Sequence, residues 1–522
     1  MKPNPTFFLA IVCIVAFAAN LFFLSRFPLV LGHDAAYYLS RTEQFKSGAL
    51  NDSITSTPPV FFAIAAFFSN FFELNFSINL VAVLFSALLG ISVFLLARLL
   101  LKDNWIALAI AMFVLFSRQE IILLTELKKN VAGLFFVPLF FYFFFKASEN
   151  KKFLLGAIVI LLLGFLTHKT AVGIPLLVLL AFVPMQLAFG RKQTKETKNF
   201  AILALAGIIA FLLLFLSSET TAASIIGEAN NWLNEIRDAK FSVNLSGYHL
   251  LFFAAIAGLF YCFARAKKQH LFFAAWFLVG LWASFPFVSG AESWRFVLLL
   301  LLPIAFLSGV LLQEIKQKFG KQKAIAAFAI LFLFSAIFWL GAQNETVAVF
   351  TPQDYSALVE LNAKLALQKP CVVFAAGTTF YWAEYLLKNC QIRTSALPDV
   401  FNGALSGPNA FVLADAKPEK RELELFDKNH FVEFARAGNR ILFKPIKIGG
   451  MPVAQQFQQQ GYNFDKLLNP FALLFFPTEL PLLSNVPFAL PLRVFFGIPV
   501  SFAVFGIILF LLKRRFFISG KG

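Results

Sequence analysis

Charge is what this sequence lacks over most of its length. Only 14% of its 522 residues are charged. The stretches 7–25, 77–97, 130–145, 171–189, 200–216, 248–264, 271–288, 296–312, 324–342 and 494–512 are almost free of charge. A helix on the surface of a water-soluble protein needs a polar face, and these runs have none, which excludes a soluble fold. Runs of about twenty apolar residues match the thickness of a bilayer core, so the chain reads as a polytopic α-helical membrane protein. Acidic residues are also scarce, 28 against 45 Lys and Arg, for a net charge of +17. That excess does not call for nucleic acid, because Lys and Arg collect in the cytoplasmic loops of membrane proteins. No small-residue cleavage site follows Phe27, so the first apolar run is expected to stay as a span. Charge is missing from the centres of the expected spans as well. Transporters and proton pumps keep ionisable groups there at a cost of roughly 2.5–3.5 kcal/mol each, so this absence argues against transport.

The basic clusters give an orientation. They are 191–198 (RKQTKETK), 265–269 (RAKKQ), 316–323 (KQKFGKQK) and 513–515 (KRR), with weaker ones at Arg98 and Lys102 and at Lys146, Lys151 and Lys152. All fall on the cytoplasmic side if 58–72 (PPVFFAIAAFFSNFF) does not span. That segment is short for a crossing, and it reads instead as an interfacial helix entered through Pro58–Pro59. The resulting layout has about twelve membrane helices with both termini inside, the weakest being those near 103–117 and 153–167. The sequons at Asn51, Asn75, Asn244 and Asn344 then all lie outside. Outer loop one covers 26–76, loop two 117–129, a tight turn 168–169, and further loops 217–247 and 289–295. The expected organisation is a transmembrane module over 1–342, an extracytoplasmic region over 343–490, and a last span with a basic cytoplasmic tail over 491–522.

Residues 352–445 change character. A helix over TPQDYSALVELNAKLALQK is followed by strands at CVVFAA, CQIRTSA and AFVLADA, with a helix at TTFYWAEYLLKN between the first two. A polar helix over KPEKRELELFDKN and a hairpin turning at Gly438–Asn439 complete a small α/β domain. No GxGxxG follows its first strand, so no nucleotide cofactor is expected. Cys371 and Cys390 each open a strand; they read either as a disulfide in an oxidising exterior or as two buried thiols. Cys13 and Cys262 lie in spans and read as packing residues. The segment 467–477 (LLNPFALLFFP) is too short to span and reads as resting on the membrane.

The charges that remain crowd the outer membrane face: Asp34, Arg118, Glu120, Glu126, Lys128, Lys129, His168, Lys169, Glu292 and Arg295. Acids at one depth can take a proton or hold a metal, and cations at the lipid boundary can neutralise a phosphate. Together they suit a reaction on a lipid-linked phosphate. Each also has a plainer role. Asp34 reads equally as the N-cap of a helix beginning at Ala35. Glu126 can pair one turn on, and Lys128 and Lys129 can snorkel. A histidine such as His168 is more often an interfacial hydrogen-bonding group, and Arg295 can serve lipid headgroups alone.

An apolar first helix, a loop carrying GHDAAYYLSRTEQFKSG and then TPPVFF resemble the GT-C membrane glycosyltransferases, which include the dolichyl-phosphate-mannose protein mannosyltransferases and the aminoarabinose transferases. LLTELKKNVAGLFF, LTHKTAVGIPLL and SWRFVLLLLLPIAFLSG are similar to family segments, and the resemblance covers about the first 340 residues. It implies a sugar donor on a polyprenyl or dolichyl phosphate, hexosyl or pentosyl transfer with inversion to a protein, lipid or glycan acceptor outside a plasma membrane, and no nucleic acid. By this resemblance Asp34 is the general base, and Glu126 is the second-loop acid with Glu120 as runner-up. Lys128, His168, Arg295 and Lys169 are the donor-phosphate candidates. The loop 217–247 would fold over the donor. His33 and Ala35 stand where many relatives place a second acid beside the first, which leaves a divalent metal (Mg or Mn), with Asp34 and Glu126 as candidate ligands, an open question. The WWDYG signature of oligosaccharyltransferases is absent, and FYWAEYL (380–386) is a poor substitute for it. The alternatives are a glycan or lipid-linked-sugar transporter and a non-catalytic membrane subunit.

Overall fold

The structure is a computed structural model that describes residues 5–49, 57–189, 248–265, 267–285, 293–375, 377–394, 409–415, 431–438 and 440–445. Its two compact units are Met1–Pro175 with Ala326–Leu468, and Leu176–Ile325 with Asn469–Gly522. The expected spans at 200–216 and 494–512, the loop 217–247, the polar helix over KPEKRELELFDKN and the surface segment 467–477 lie outside the described residues, as do Glu292 and the basic clusters 191–198 and 513–515.

The first unit opens with α1 (Pro5–Ser25), α2 (Ala35–Lys46), α3 (Val60–Phe68) and α4 (Leu74–Leu101). It continues through α5 (Asn104–Leu115), α6 (Arg118–Glu126), α7 (Lys128–Lys146) and α8 (Lys152–Phe165), and α9 (Thr170–Phe189) runs out of it. Helix α4 is the central post, packed by α1, α5 and α7. Among the described residues five helices are long and apolar enough to cross a membrane, or six if the bent pair α5–α6 is one span. Helix α3 has nine residues, too few for a crossing; its first amide, Val60 N–H, donates to the Leu166 carbonyl at the α8–α9 turn (3.0 Å).

Loop two departs from expectation. The twelve-span layout makes 117–129 an outer loop. Instead the chain breaks at Phe116–Ser117, bends by 49° and continues as α6. Asp103 caps α5 by accepting from the amides of Trp105 and Ile106, and Ser117 caps α6 by accepting from the Glu120 amide. Leu115 abuts Gly90 and Glu120 faces Ser86, both near the middle of α4. Glu120 is fully buried, with the Ser86 hydroxyl beside its carboxylate. The Ser117 cap starts a second helix there, and Glu120 in its first turn is buried against α4 rather than exposed in a loop. Arg118 turns away and pairs with Glu345 (3.2 Å).

The unit resumes with α14 (Lys321–Glu345), where Ser335 donates to the Phe116 carbonyl exposed by that helix break (2.7 Å). A five-stranded sheet follows in the order β2-β1-β3-β5-β4: β1 (Val372–Ala375), β2 (Gln391–Thr394), β3 (Ala410–Asp415), β4 (Phe431–Ala437) and β5 (Arg440–Pro445). β1 pairs in parallel with β2 and β3, and β5 pairs antiparallel with β3 and β4. Helix α15 (Pro352–Leu365) begins in a capping box of Thr351 and Asp354, and α16 (Gly377–Leu386) joins β1 to β2. Gly438 takes φ of 51° at the β4–β5 turn, a left-handed conformation that glycine adopts without strain. Cys371 and Cys390 form a disulfide. Trp382 of α16 is fully buried and stacks on Phe350 (4.2 Å between ring centroids), and Arg440 reaches Asp354 in the same core.

In the second unit α10 (His249–Arg265) packs on α13 (Leu301–Phe319), with α11 (Lys268–Ala283) and α12 (Ser293–Leu299) beside them. Gly258 lies where a Cβ would overlap the Leu307 carbonyl, so two backbones meet there. Glu314 gathers Lys318 (2.8 Å) and Arg265 (3.8 Å) at the end of α13.

Trp382→Ala removes the largest fully buried side chain of the sheet portion and is expected to cost about 3–5 kcal/mol of stability. Denaturant unfolding of the purified protein, followed by the remaining tryptophans, measures it; a cost under about 1 kcal/mol would show that the stack on Phe350 holds little.

Candidate functional site

Loops one and two are built to touch. Gly32 has φ of 103°, and a Cβ on it would overlap the Thr125 carbonyl oxygen, so only glycine lets the two backbones approach this closely. Lys128, the first residue of α7, is fully buried. Its ammonium donates to the Leu31 carbonyl and to the Thr125 carbonyl, both at 2.9 Å. One cation thus ties the residue before Gly32 to the last turn of α6. The adjacent contact is ionic: the His33 backbone N–H and its Nδ1 both donate to Glu126 Oε2, at 2.9 and 2.7 Å. The Glu126 hydrogen bond is the main reason His33 holds its proton more strongly than usual; burial opposes it, and the charges of Glu126 and Asp34 add to it.

Asp34 comes next in the chain and occupies the N-cap position of α2, yet its side chain makes no capping hydrogen bond. The plainer role open to it in the sequence is therefore not the one it fills. Its carboxyl is half-buried, and the fields of both Asp34 and Glu126 act on the Lys128 ammonium. Tyr37, one turn on, meets the Phe62 ring of α3 edge-on (5.8 Å). Lys129 lies over both rings, 5.2 Å from Tyr37 and 5.7 Å from Phe62, with its ammonium 3.4 Å from the Tyr37 hydroxyl. Half-buried, Lys129 is the loop-two lysine that is not enclosed.

The remaining site candidates make other contacts. His168 accepts the Thr170 amide on Nδ1 (3.2 Å), which caps α9; the same nitrogen contacts the Thr170 hydroxyl (2.6 Å), and its Cβ fills the space above Gly133. Lys169 is exposed. Arg295 belongs to the second compact unit, in α12, with its guanidinium over Trp294. Glu120 is enclosed beside Ser86, away from the His33–Glu126 contact at the far end of α6. Sequence reasoning passed over Tyr37 and Phe62; the signal was there in the spacing D-A-A-Y, which puts Tyr37 one helical turn from Asp34.

No group of three or more His, Cys, Asp or Glu suited to a metal ion occurs among the described residues. Of the two candidate ligands, Glu126 already has Oε2 occupied by two His33 donors. We derive no step through a metal.

Residues 56–218 match the family model described as dolichyl-phosphate-mannose-protein mannosyltransferase. In structure the chain is similar to the Archaeoglobus fulgidus oligosaccharyltransferase, solved with zinc and sulfate, at a TM-score of 0.55 and 13% identity over 83% of this chain and 73% of that one. The chain has the GT-C fold. It is also similar to ArnT from Cupriavidus metallidurans in its apo state, at a TM-score of 0.51 and 12% identity over 84% of this chain and 97% of that one. No curated protein sequence matches it. Within the GT-C fold, the loop-one acid and the loop-two acid are brought to one place by Gly32, Lys128 and His33.

Two outcomes follow from this geometry. Gly32→Ala is expected to destabilise the protein by about 1–3 kcal/mol through backbone strain alone, with the clash on Thr125 adding to it; an unchanged melting temperature would contradict the close approach. The raised His33 pKa sets a sign: stabilisation by the His33–Glu126 pair is complete below the ordinary histidine value of about 6.5 and is lost as pH rises through His33's higher folded value. The difference in melting temperature between wild type and His33→Gln should therefore be largest in mild acid and shrink in alkali. A difference that grows with pH would contradict it.

Proposed function

We propose that the chain is a membrane glycosyltransferase that moves a sugar from a polyprenyl- or dolichyl-phosphate donor to a hydroxyl acceptor at the extracytoplasmic face, with inversion. The observation that carries this reading is Asp34: a carboxylate at a helix start, unused as a cap, fixed beside a second acid by a glycine contact, a buried ammonium and a histidine clamp. In the proposed step the acceptor oxygen attacks the anomeric carbon while the bond from that carbon to the phosphate oxygen breaks. Asp34 takes the acceptor proton, and the lipid phosphate leaves as an anion. The leaving group already carries charge, so placement and a nearby cation supply most of the catalysis. The family description matched by residues 56–218 supports a lipid-phosphate sugar donor.

In this reading the cations divide the work by their surroundings. Lys128 is enclosed and committed to two carbonyls, so it serves as the tie that positions the two acids. Lys129, half-buried among the Tyr37 and Phe62 rings, is better placed to meet a donor phosphate, with His168, Lys169 and Arg295 as further candidates. Glu126 acts through His33 as an orienting acid. The sugar and the acceptor class stay open in this reading.

Asp34→Asn keeps the shape of the side chain and removes its basicity. It is expected to lower transfer from a polyprenyl-phosphate sugar by about 10²–10⁴-fold while the melting temperature stays that of wild type. Transfer assays in proteoliposomes measure this, and wild-type turnover in the variant would remove Asp34 from the chemistry.

A further inference from the structure

Helix α2 has a second hold besides loop two. Tyr381, Glu384 and Tyr385 of α16 share one helix face by their i, i+3, i+4 spacing. The Tyr381 ring meets Tyr37 edge-on (5.6 Å), Glu384 lies 3.9 Å from the Arg41 guanidinium, and the Tyr385 hydroxyl donates to Glu43 (3.1 Å). Burial and the Glu43 charge keep the Tyr385 phenol protonated, so it stays a donor. Other positions of α16 anchor it in its own unit: Trp382 stacks on Phe350, and the Thr379 hydroxyl accepts from Arg440 (3.2 Å). The Cys371–Cys390 bond closes the β1–α16–β2 segment that carries the helix.

Asp34 is the N-cap residue of α2, so where its carboxyl stands depends on where the start of α2 stands. At 1.5 Å per residue, Arg41 and Glu43 lie roughly 10–14 Å along the axis from Asp34. Helix α2 is therefore held near its start by the loop-two contact and near its end by α16. A shift of about 1 Å in a reacting group is enough to cost a hundredfold in rate.

We propose that α16 is a positioning element for the reaction, its Tyr381, Glu384 and Tyr385 fixing α2 so that Asp34 is set against the acceptor hydroxyl. This rests on the glycosyl-transfer reading given above. It makes the sheet portion a part of the catalytic arrangement rather than an appended module.

The test uses the full-length protein in lipid nanodiscs with Tyr381→Ala, Tyr385→Phe, Arg41→Glu, Glu384→Arg and the Arg41→Glu/Glu384→Arg swap. Amide hydrogen exchange over residues 35–46 and transfer kinetics are both read. The single variants are expected to speed exchange in α2 about tenfold and to lower kcat by about tenfold or more, with KM for the lipid-phosphate donor within about twofold of wild type. The charge swap is expected to restore both readouts toward wild type. If a larger change prevents folding, Tyr385→Phe, which deletes one hydroxyl, carries the test. Unchanged exchange in α2, or loosened α2 with unchanged kcat, would overturn the proposal. If wild type transfers no sugar from such donors, the glycosyl-transfer reading fails by itself, and the role of α16 in positioning Asp34 falls with it even where exchange shows that α16 holds α2.

Discussion

A single enclosed ammonium organises the first compact unit. Lys128 donates to a carbonyl on each of two loops nearly a hundred residues apart in the chain, and it can do so only because Gly32 lets their backbones meet. A buried cation without partners would be costly. Here two backbone carbonyls accept from it, and in doing so it holds the loops together. The His33 clamp on Glu126 and the uncapped start of α2 both follow from this one junction.

The question posed by a charged GHDAAYY segment after an apolar helix then has a physical answer. Glycine gives the close approach, histidine binds the second acid, and aspartate stands at the start of α2 beside them. Two alanines bury against the neighbouring helices, and Tyr37 supplies a ring against α3 and a neighbour for Lys129. Each residue type answers a requirement of packing or charge that the next one in the chain does not share.

Much of this was legible beforehand. Long runs without charge identified the membrane helices α1, α4, α7 and α14, and alternation with turn signals located β1 to β5. Cys371 and Cys390, each opening a strand, left a disulfide and two buried thiols equally open, and the structure has the disulfide. What escaped were matters of partner choice. Lys128 and Lys129 are adjacent and alike in sequence, yet one is enclosed and the other meets two aromatic rings, because helix phase points them in different directions. Glu120 looked like an outer-face acid, since a charge normally ends an apolar run; the Ser117 cap instead starts a second helix that encloses it beside α4. The contact of α16 with α2 joins segments more than three hundred residues apart and leaves no local trace in the sequence.

The most direct measurement of the central claim is cross-linking of His33→Cys with Glu126→Cys in intact membranes, with sidedness read by an impermeant thiol reagent. The account predicts that both cysteines react from the same side and join as a disulfide under mild oxidation. Labelling from opposite sides, or no cross-link despite folded protein, would contradict it.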